Sequence, residues 1–351
     1  MSNFILFRKR RHLTKFYLLI YMKRALTLLI LTLLVFSANA QVLRKRAVKL
    51  MGGRWQITLV GEDAISTEQN IDTVIAEISR IENLISDWKP ASQVSIVNSN
   101  AGILPVKVDQ EVFDLTERAL SLSKITNGAF DISFAAMDRI WKFDGSMTQM
   151  PTPEAIKRSV QKVGYKNIIL DRKNCTIFLK IKGMKIGFGA LGEGYAADKS
   201  RKLMLNKGIK AGIINGTGDM SAWGKQPDGS DWTVGITNPM REDTIITIMP
   251  LTAGAVVTSG SYEKFVIFHG KRYSHIINPV TGYPATGLSS VTIFGPSAER
   301  ANGFSTSMMV LGKSAAIRFI NQFPEYNYIL ITDHGQILSS AVLDLKEKRL
   351  K

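Results

Sequence analysis

The chain has 351 residues, 45% of them hydrophobic, and carries 45 Lys and Arg against 29 Asp and Glu, a formal net charge of +16. This length and composition predict a globular protein with a substantial core. Basic residues are scattered without an Arg-rich arm or a nucleic-acid motif, which argues against nucleic-acid binding. Cys175 is the only cysteine, so an internal disulfide is excluded.

The first forty residues predict a secretory signal peptide. They contain seven basic and no acidic residues, and Lys23-Arg24 precede an apolar run over 25–36 and an A-x-A cleavage site at Ala38-Asn39-Ala40. Met22 is the predicted true start, because a complete signal peptide begins there. The alternative, an N-terminal membrane anchor, is disfavoured because twelve apolar residues are too few to span a bilayer comfortably.

Cleavage after Ala40 leaves 38 Lys and Arg against 29 Asp and Glu, so the formal charge falls to +9. We predict one mature domain over 41–351, exported to the periplasm, with no stable membrane insertion once the signal is removed.

Helices dominate the first half of the predicted mature domain. Residues 41–49 form a short basic lead and 54–60 a strand. A helix begins at a Ser66–Gln69 capping box, carries Ile and Val at helical spacing, and ends before Pro90. Further helices are predicted over 109–126 and from Thr152-Pro153 to near Gly164.

A glycine-rich run over 185–200 follows a predicted hairpin at 168–181 and a third antiparallel strand at 184–188. Gly187-x-Gly189-x-x-Gly192 fits the dinucleotide fingerprint, but a Rossmann unit requires a strand, a helix and a parallel strand. The meander context therefore disfavours that fold, and a periplasmic dehydrogenase is the most distant alternative function. The run itself is typical of a turn that contacts phosphate.

Strands dominate the second half. They are predicted at 212–215, 232–237, 245–249, 255–258, 264–268, 290–294 and 328–332, with helices at 298–310 and 314–323. This segregation of helices and strands favours an α+β fold over alternating α/β.

His275 is the one histidine in a segment typical of a ligand-binding loop, since His12 lies in the leader and His269 and His334 occupy predicted turns. A purely structural histidine at a strand end is the alternative. The sequence has no H-E-x-x-H zinc motif and no G-x-S-x-G nucleophile elbow, which argues against a metalloprotease or a serine hydrolase of that type.

Eight short motifs occur along the chain: Met51-Gly52, Ser86-Asp87-Trp88-Lys89-Pro90, Gly128-Ala129-Phe130-Asp131, Gly192-Glu193-Gly194-Tyr195-Ala196-Ala197-Asp198, Gly216-Thr217-Gly218-Asp219, Thr258-Ser259-Gly260, Ser274-His275-Ile276-Ile277-Asn278-Pro279 and Ala301-Asn302-Gly303-Phe304-Ser305-Thr306. With these motifs in this order, the chain resembles the FAD:protein FMN transferases of the ApbE family from Met51 to about Gly312.

The resemblance implies a single ApbE-like (T-fold-like) catalytic domain with mixed, largely antiparallel sheets and packed helices. It implies transfer of FMN from FAD to a threonine hydroxyl through a phosphoester bond, with release of AMP. The acceptor would be a flavoprotein subunit of a membrane redox complex. Mg²⁺ would be required, because a neutral hydroxyl must attack a phosphorus surrounded by anionic oxygens.

The resemblance also implies roles for individual residues. FAD would contact Met51, Trp88, Ala129, Phe130, Asp131, Gly187, Glu193 and Ile276. Magnesium would be held by Ala190, Asn302, Ser305 and Thr306, and His275 and Asn302 would be catalytic.

Three positions depart from the family pattern, where Gly187, Asn278 and Asn302 replace the usual Asp. A neutral amide at 302 predicts weaker cation binding, because hard cations prefer carboxylates. Two alternatives follow from these departures: a catalytically impaired protein that binds or stores FAD, and an FAD pyrophosphatase that yields FMN and AMP.

Overall fold

A computed structural model describes residues 21–24, 41–251, 253–262 and 264–343. The chain divides after Gln41 into two units, and the second, Val42–Lys351, contains the elements described below. The predicted signal peptide, apart from residues 21–24, lies outside the described residues. No helix in the described ranges is long and apolar enough to cross a membrane.

The elements are numbered here in chain order. The strands are β1 (Val42–Leu50), β2 (Gly53–Gly61), β3 (Val106–Lys107), β4 (Ile168–Asp171), β5 (Thr176–Leu179), β6 (Ala211–Gly216), β7 (Asp219–Trp223), β8 (Trp232–Asn238), β9 (Arg241–Leu251), β10 (Gly254–Gly260), β11 (Phe265–Phe268), β12 (Lys271–Ser274), β13 (Leu288–Gly295), β14 (Asn327–Thr332) and β15 (Ile337–Ser339). The α-helices are α1 (Ala64–Ile85), α2 (Gln93–Ser99), α3 (Gln110–Ile125), α4 (Pro153–Ser159), α5 (Gly192–Asn206), α6 (Ala298–Leu311) and α7 (Lys313–Ile320).

An eight-stranded sheet organises the molecule, in the order β1-β2-β6-β7-β10-β13-β14-β15, and its neighbouring strands pair antiparallel. Smaller sheets are β3-β5-β4, β8-β9 and β11-β12. The predicted α+β class with largely antiparallel sheets is confirmed.

The two faces of the large sheet are covered by different elements. Helices α1, α5 and α6 pack over one face around buried Trp55, Ile57 and Phe304. The β8-β9 ribbon covers the other, where Trp232 and neighbouring apolar side chains meet residues such as Val60, Val256 and Ile331. Because adjacent strand residues point to opposite faces, one strand supplies both cores.

Residues 41–49 were predicted to be a short basic lead, but residues 42–50 form strand β1. Its nine residues pair with β2 in unbroken register from Val42↔Gly61 to Leu50↔Gly53. Side chains at alternate positions are half-buried and exposed, which is the pattern of an edge strand. The cap of α1 also differs from the prediction, because Asp63 accepts a hydrogen bond from the backbone N–H of Ser66 and the helix begins at Ala64.

The predicted third meander strand at 184–188 is wrong, since this segment belongs to none of the described sheets and β3 lies beside β5 instead. Hydrogen bonds from a side chain take the place of pairing with a neighbouring strand. Asn98 accepts from the backbone N–H of Ile186 at 2.7 Å and donates to the Ile186 carbonyl at 2.9 Å. Gly187 N–H donates to the Ile132 carbonyl at 2.9 Å. The segment is therefore extended but fixed, and it leads directly into α5.

Candidate functional site

A cavity of about 470 Å³ lies beside the helix-covered face, at the ends of β7 and β10. Residues from distant parts of the chain meet there, including the end of α1, the first turn of α5 and the middle of α6. The predicted site residues that line it are Trp88, Ala129, Phe130, Asp131, Gly187, Ala190, Glu193, His275, Ile276, Asn302 and Thr306.

A second cavity of about 420 Å³ adjoins the first and shares Asp87, Trp88, Gly189 and Glu193 with it. Met51, predicted for the same flavin site, lines this second cavity. The two together form an elongated site with Trp88 between them.

Trp88 is 70% exposed, although it is a large aromatic residue. It follows the end of α1, and the guanidinium of Arg139 lies 4.2 Å from the centre of its ring. An exposed indole on the wall of two cavities offers a flat surface on which a heterocycle can stack.

Asp131 is buried and held by three hydrogen bonds. Its carboxylate accepts from the N–H and hydroxyl of Ser133, at 2.8 and 2.6 Å, and from the N–H of Tyr165 at 2.7 Å. Burial raises the pKa of Asp131 above its ordinary value, while these bonds oppose the change. The bonds fix the 3₁₀ turn at Ile132–Ala136 that forms one wall of the cavity.

Asn302 is buried on α6, with 8% of its surface exposed, and its amide nitrogen donates to the carboxylate of Asp219. Only the amide nitrogen can donate to a carboxylate, so this bond fixes the orientation of the side chain. The amide oxygen Oδ1 is buried and has no hydrogen-bond partner among the described residues. An unpaired buried acceptor costs about 1–3 kcal/mol, and a water molecule or a cation in the cavity would satisfy this oxygen.

Hydroxyl groups surround the same turn of α6. Ser259 on β10 lies 2.8 Å from Ser305 Oγ and 3.3 Å from Thr306 Oγ1, and the Ser305 hydroxyl donates to the Asn302 carbonyl at 3.0 Å. Ser259 and Thr306 line the cavity, whereas Ser305, a predicted metal ligand, is fully buried and absent from its lining. Ser305 therefore hydrogen-bonds to a residue of the cavity lining but is not itself part of that lining.

The donors around Asn302 fit a hard divalent cation. They are oxygen atoms of an amide and hydroxyl groups beside one carboxylate, the chemistry that Mg²⁺ accepts in proteins. Among the described residues no group of three or more His, Cys, Asp or Glu is placed to hold a metal ion. Any cation here would thus depend on neutral oxygens for most of its protein ligands.

His275 lines the cavity with its ring nitrogen Nδ1 3.2 Å from the carbonyl oxygen of Lys264. A carbonyl only accepts, so in the neutral ring Nδ1 carries the hydrogen and Nε2 is left as an acceptor. Burial lowers the pKa of His275 below its ordinary value and outweighs the Lys264 carbonyl, which favours the charged form. The ring is therefore a neutral base at neutral pH.

The structure shows the surroundings of two of the three positions at which another residue replaces the usual Asp. A Cβ placed on Gly187 would lie 3.4 Å from Oδ2 of Asp87 and 3.1 Å from the Cβ of Ala135, so the Asp87 carboxylate already lies beside this position. Asn278 accepts from the N–H groups of Val280 and Thr281 at 2.9 and 3.3 Å, as a carboxylate oxygen would. It caps a turn and does not line the cavity.

Six polar residues of the cavity lining were not among the predicted site residues: Asp87, Arg139, Thr217, Asp219, Thr258 and Ser259. Five of them belong to the quoted motifs, so the motifs carried a signal for them. Arg139 had none, because its position over Trp88 depends on how the segment after the 3₁₀ turn folds back.

Comparison with known proteins places these observations in a family. The sequence model of the ApbE family matches residues 51–330. An FAD:protein FMN transferase from Salmonella typhimurium is 32% identical over 286 residues, covering 80% of this chain and 81% of that protein. One from Klebsiella pneumoniae is 30% identical over 291 residues, covering 81% and 83%.

Solved structures agree with the sequence relatives. The ApbE protein from Thermotoga maritima has a TM-score of 0.78 and 29% identity, covering 88% of this chain and 100% of its own. The flavinyl transferase ApbE from Pseudomonas stutzeri has a TM-score of 0.74 and 25% identity, covering 86% and 94%.

Proposed function

This chain belongs to the ApbE family, and on that premise we propose that it transfers FMN from FAD to a threonine hydroxyl of a protein, releasing AMP, with Mg²⁺ as cofactor. One observation carries the proposal: a single cavity brings together the exposed ring of Trp88, the neutral His275 and the unpaired buried oxygen of Asn302. These are a stacking surface, a base and a cation ligand.

FAD, the donor, is an extended molecule and would occupy both cavities. Trp88 would stack against the isoalloxazine, with Ala129, Phe130, Asp131 and Ile276 around it. The hydrogen bonds that hold Asp131 make this wall rigid before FAD binds, which lowers the entropic cost of binding.

The charge of the first cavity supports the need for a cation. Its lining contains the carboxylates of Asp87, Asp131, Glu193 and Asp219. A pyrophosphate entering this environment would meet like charge. Bound Mg²⁺ would neutralise phosphate oxygens and stabilise the negative charge of the transition state, and Ala190, Asn302 and Thr306 are the residues that would hold it.

His275 would act as the general base. Its Nε2 would take the proton of the acceptor threonine hydroxyl, whose oxygen forms a bond to the FMN phosphorus. The bond between that phosphorus and the bridging oxygen breaks, and AMP leaves with the bridging oxygen and its electron pair. The Lys264 carbonyl holds Nδ1–H and thereby leaves Nε2 as the nitrogen that would accept this proton.

We further propose that the protein acts in the periplasm and that its acceptor is a flavoprotein subunit of a membrane redox complex. Signal cleavage is directly measurable as the N-terminus of the mature chain from cell envelopes, which we expect at Gln41. A mature N-terminus before residue 25 would contradict export by this route.

The test of function incubates the full mature chain with FAD, Mg²⁺ and a cell-envelope fraction, and follows covalent flavin fluorescence on a denaturing gel together with AMP. We expect a fluorescent band and one AMP per flavin attached. His275→Gln should abolish the band yet bind FAD. Lys271→Gln, on an exposed hairpin strand outside both cavity linings, is the matched control and should label normally.

Two alternative functions give different results in the same assay. AMP release without a labelled protein would identify FAD hydrolysis, with water in place of threonine. FAD binding with neither product would identify a binding or storage protein.

A further inference from the structure

Asp219 and Asn302 form a buried pair at the wall of the cavity. Asp219 is 4% exposed and Asn302 8%, and the amide of Asn302 donates to the carboxylate. The bond turns the amide oxygen Oδ1 away from Asp219, and Oδ1 is the buried atom without a partner among the described residues. The pair therefore joins one unpaired neutral oxygen to the carboxyl group of Asp219 through a single amide.

The groups that hydrogen-bond to one another at the same turn of α6 are neutral hydroxyls. Ser259, Ser305 and Thr306 contribute hydroxyl groups that hydrogen-bond to one another and to the Asn302 carbonyl. A divalent cation bound only by neutral oxygens is weakly held, because hard cations bind carboxylates better. Asp219 is the carboxylate joined to this group.

The fold fixes Asp219 in place. It is the first residue of β7 and pairs with Gly216 across a tight turn, in which Thr217 has φ 51° and Gly218 φ 111°. Asp198 of α5 then ties β7 to the start of α6 by accepting from the hydroxyls of Ser221, at 2.9 Å, and Ser297, at 2.8 Å. Strand β7 and helix α6 are thus joined through Asp198 as well as through the pair itself.

We infer that Asp219 supplies the negative charge of the divalent-cation site and orients the amide oxygen of Asn302 as a neutral ligand. With a neutral amide at position 302, the charge at this site would come from position 219, 83 residues earlier. This inference rests on the proposed function, because the cation is the Mg²⁺ of the proposed transfer. Asp219 is a positioning residue, since it acts through Asn302.

Cation binding is measured without flavin or acceptor, on the full mature chain, by Mn²⁺ electron paramagnetic resonance and by the shift of the thermal midpoint with Mg²⁺. Asp219→Asn keeps the shape and an acceptor oxygen for Asn302 while removing the charge. We expect it to weaken Mn²⁺ binding by about tenfold or more and to remove most of the Mg²⁺-dependent shift.

Two further variants separate charge from structure. Asp198→Asn is the matched control, because Asp198 joins the same strand and helix but does not line the cavity. It should lower stability and leave Mn²⁺ affinity unchanged. Asp219→Asn combined with Asn302→Asp moves the charge across the hydrogen bond, and this exchanged pair should regain most of the affinity.

Equal Mn²⁺ affinity in Asp219→Asn and the wild type would overturn the inference. So would an exchanged pair that binds no better than Asp219→Asn. A wild type that transfers FMN but binds no divalent cation would overturn the inference and leave transfer standing. Cation binding that depends on Asp219, without labelling of any acceptor, would support the inference and contradict the proposed function.

Discussion

The proposed transfer depends on the protonation state of His275. Its Nδ1 is held by a backbone carbonyl and its pKa is lowered by burial, so the ring is neutral over a wider pH range than an exposed histidine. A base is effective only when unprotonated, and a lowered pKa keeps it so in mildly acidic surroundings.

The first prediction concerns the pH profile. The kcat/KM for FMN transfer should fall on the acid side with a midpoint below about 6.5, the ordinary histidine value, because protonation of Nε2 removes the base. His275→Gln should reduce kcat by about 10²–10⁴-fold and abolish this limb. A midpoint above that value, or an unchanged profile in the variant, would show that another group is the base.

A second prediction concerns Gly187. Gly187→Asp would place a carboxylate against that of Asp87 and a Cβ against Ala135, so we expect a loss of about 1–2 kcal/mol in the free energy of unfolding. Adding Asp87→Asn should recover part of this loss by removing the like charge. Urea denaturation measures both, and a stable Gly187→Asp protein without the second change would contradict this account.

Helices α1, α3 and α5 are joined by a group of charged side chains around Glu111 of α3. Arg80 of α1 donates to its carboxylate at 2.8 Å, the hydroxyl of Tyr195 on α5 donates at 2.5 Å, and Lys199 lies 3.4 Å away. Burial alone would raise the pKa of Glu111, but these partners outweigh it and lower the pKa to about 2. The network holds α5, which carries Glu193, against the helix that ends before Trp88.

The third prediction follows from the sign of that shift. A carboxyl whose pKa is lower in the folded state stabilises the fold above its unfolded pKa, and this contribution disappears as pH falls from about 4.5 towards 2. Glu111→Gln should lower stability at pH 7 by about 1–2 kcal/mol, a value kept small because the group is partly exposed. The difference in stability between Glu111→Gln and the wild type should vanish near pH 2. A difference that stays constant with pH would contradict this prediction.

Local patterns predicted many elements but not how they meet. Helix α1 was predictable because Ile71, Val74 and Ile78 recur at helical spacing, and all three are buried. Strand β1 was missed because its many basic residues hid the alternation. The strand predicted at 184–188 failed because Asn98, nearly ninety residues away, supplies the hydrogen bonds that a neighbouring strand would have made.

The candidate site was predictable only through its motifs. The resemblance supplied roles for Trp88 and Asn302, His275 was also indicated by its loop, and the fold brings all three to one cavity. The contact between Asp219 and Asn302 joins residues 83 positions apart and depends on strand order and on how α6 crosses β7 and β10. No local spacing contains that information.

At the scale of the whole molecule, one sheet carries two cores, with helices over one face and the β8-β9 ribbon over the other. Strand β1 closes one edge of this sheet, and Arg46 on it pairs with Glu68 and Asp72 of α1. It precedes residue 51, where the family match begins.

The fourth prediction tests the importance of that edge. A chain beginning at Gln41 should fold cooperatively, because the pairing of β1 with β2 starts at Val42. A chain beginning at Met51 loses that pairing and the ion pairs of Arg46, so its thermal midpoint should be lower by at least about 5 °C. Equal midpoints by calorimetry would mean that β1 contributes no stability.

The central claim is that this cavity attaches FMN to a protein threonine. Peptide mass spectrometry of an acceptor incubated with the mature chain, FAD and Mg²⁺ measures this directly. We predict FMN joined by a phosphoester to one threonine, absent with EDTA or with His275→Gln. An acceptor that stays unmodified while FAD is bound, or a modification that persists in His275→Gln, would contradict the account.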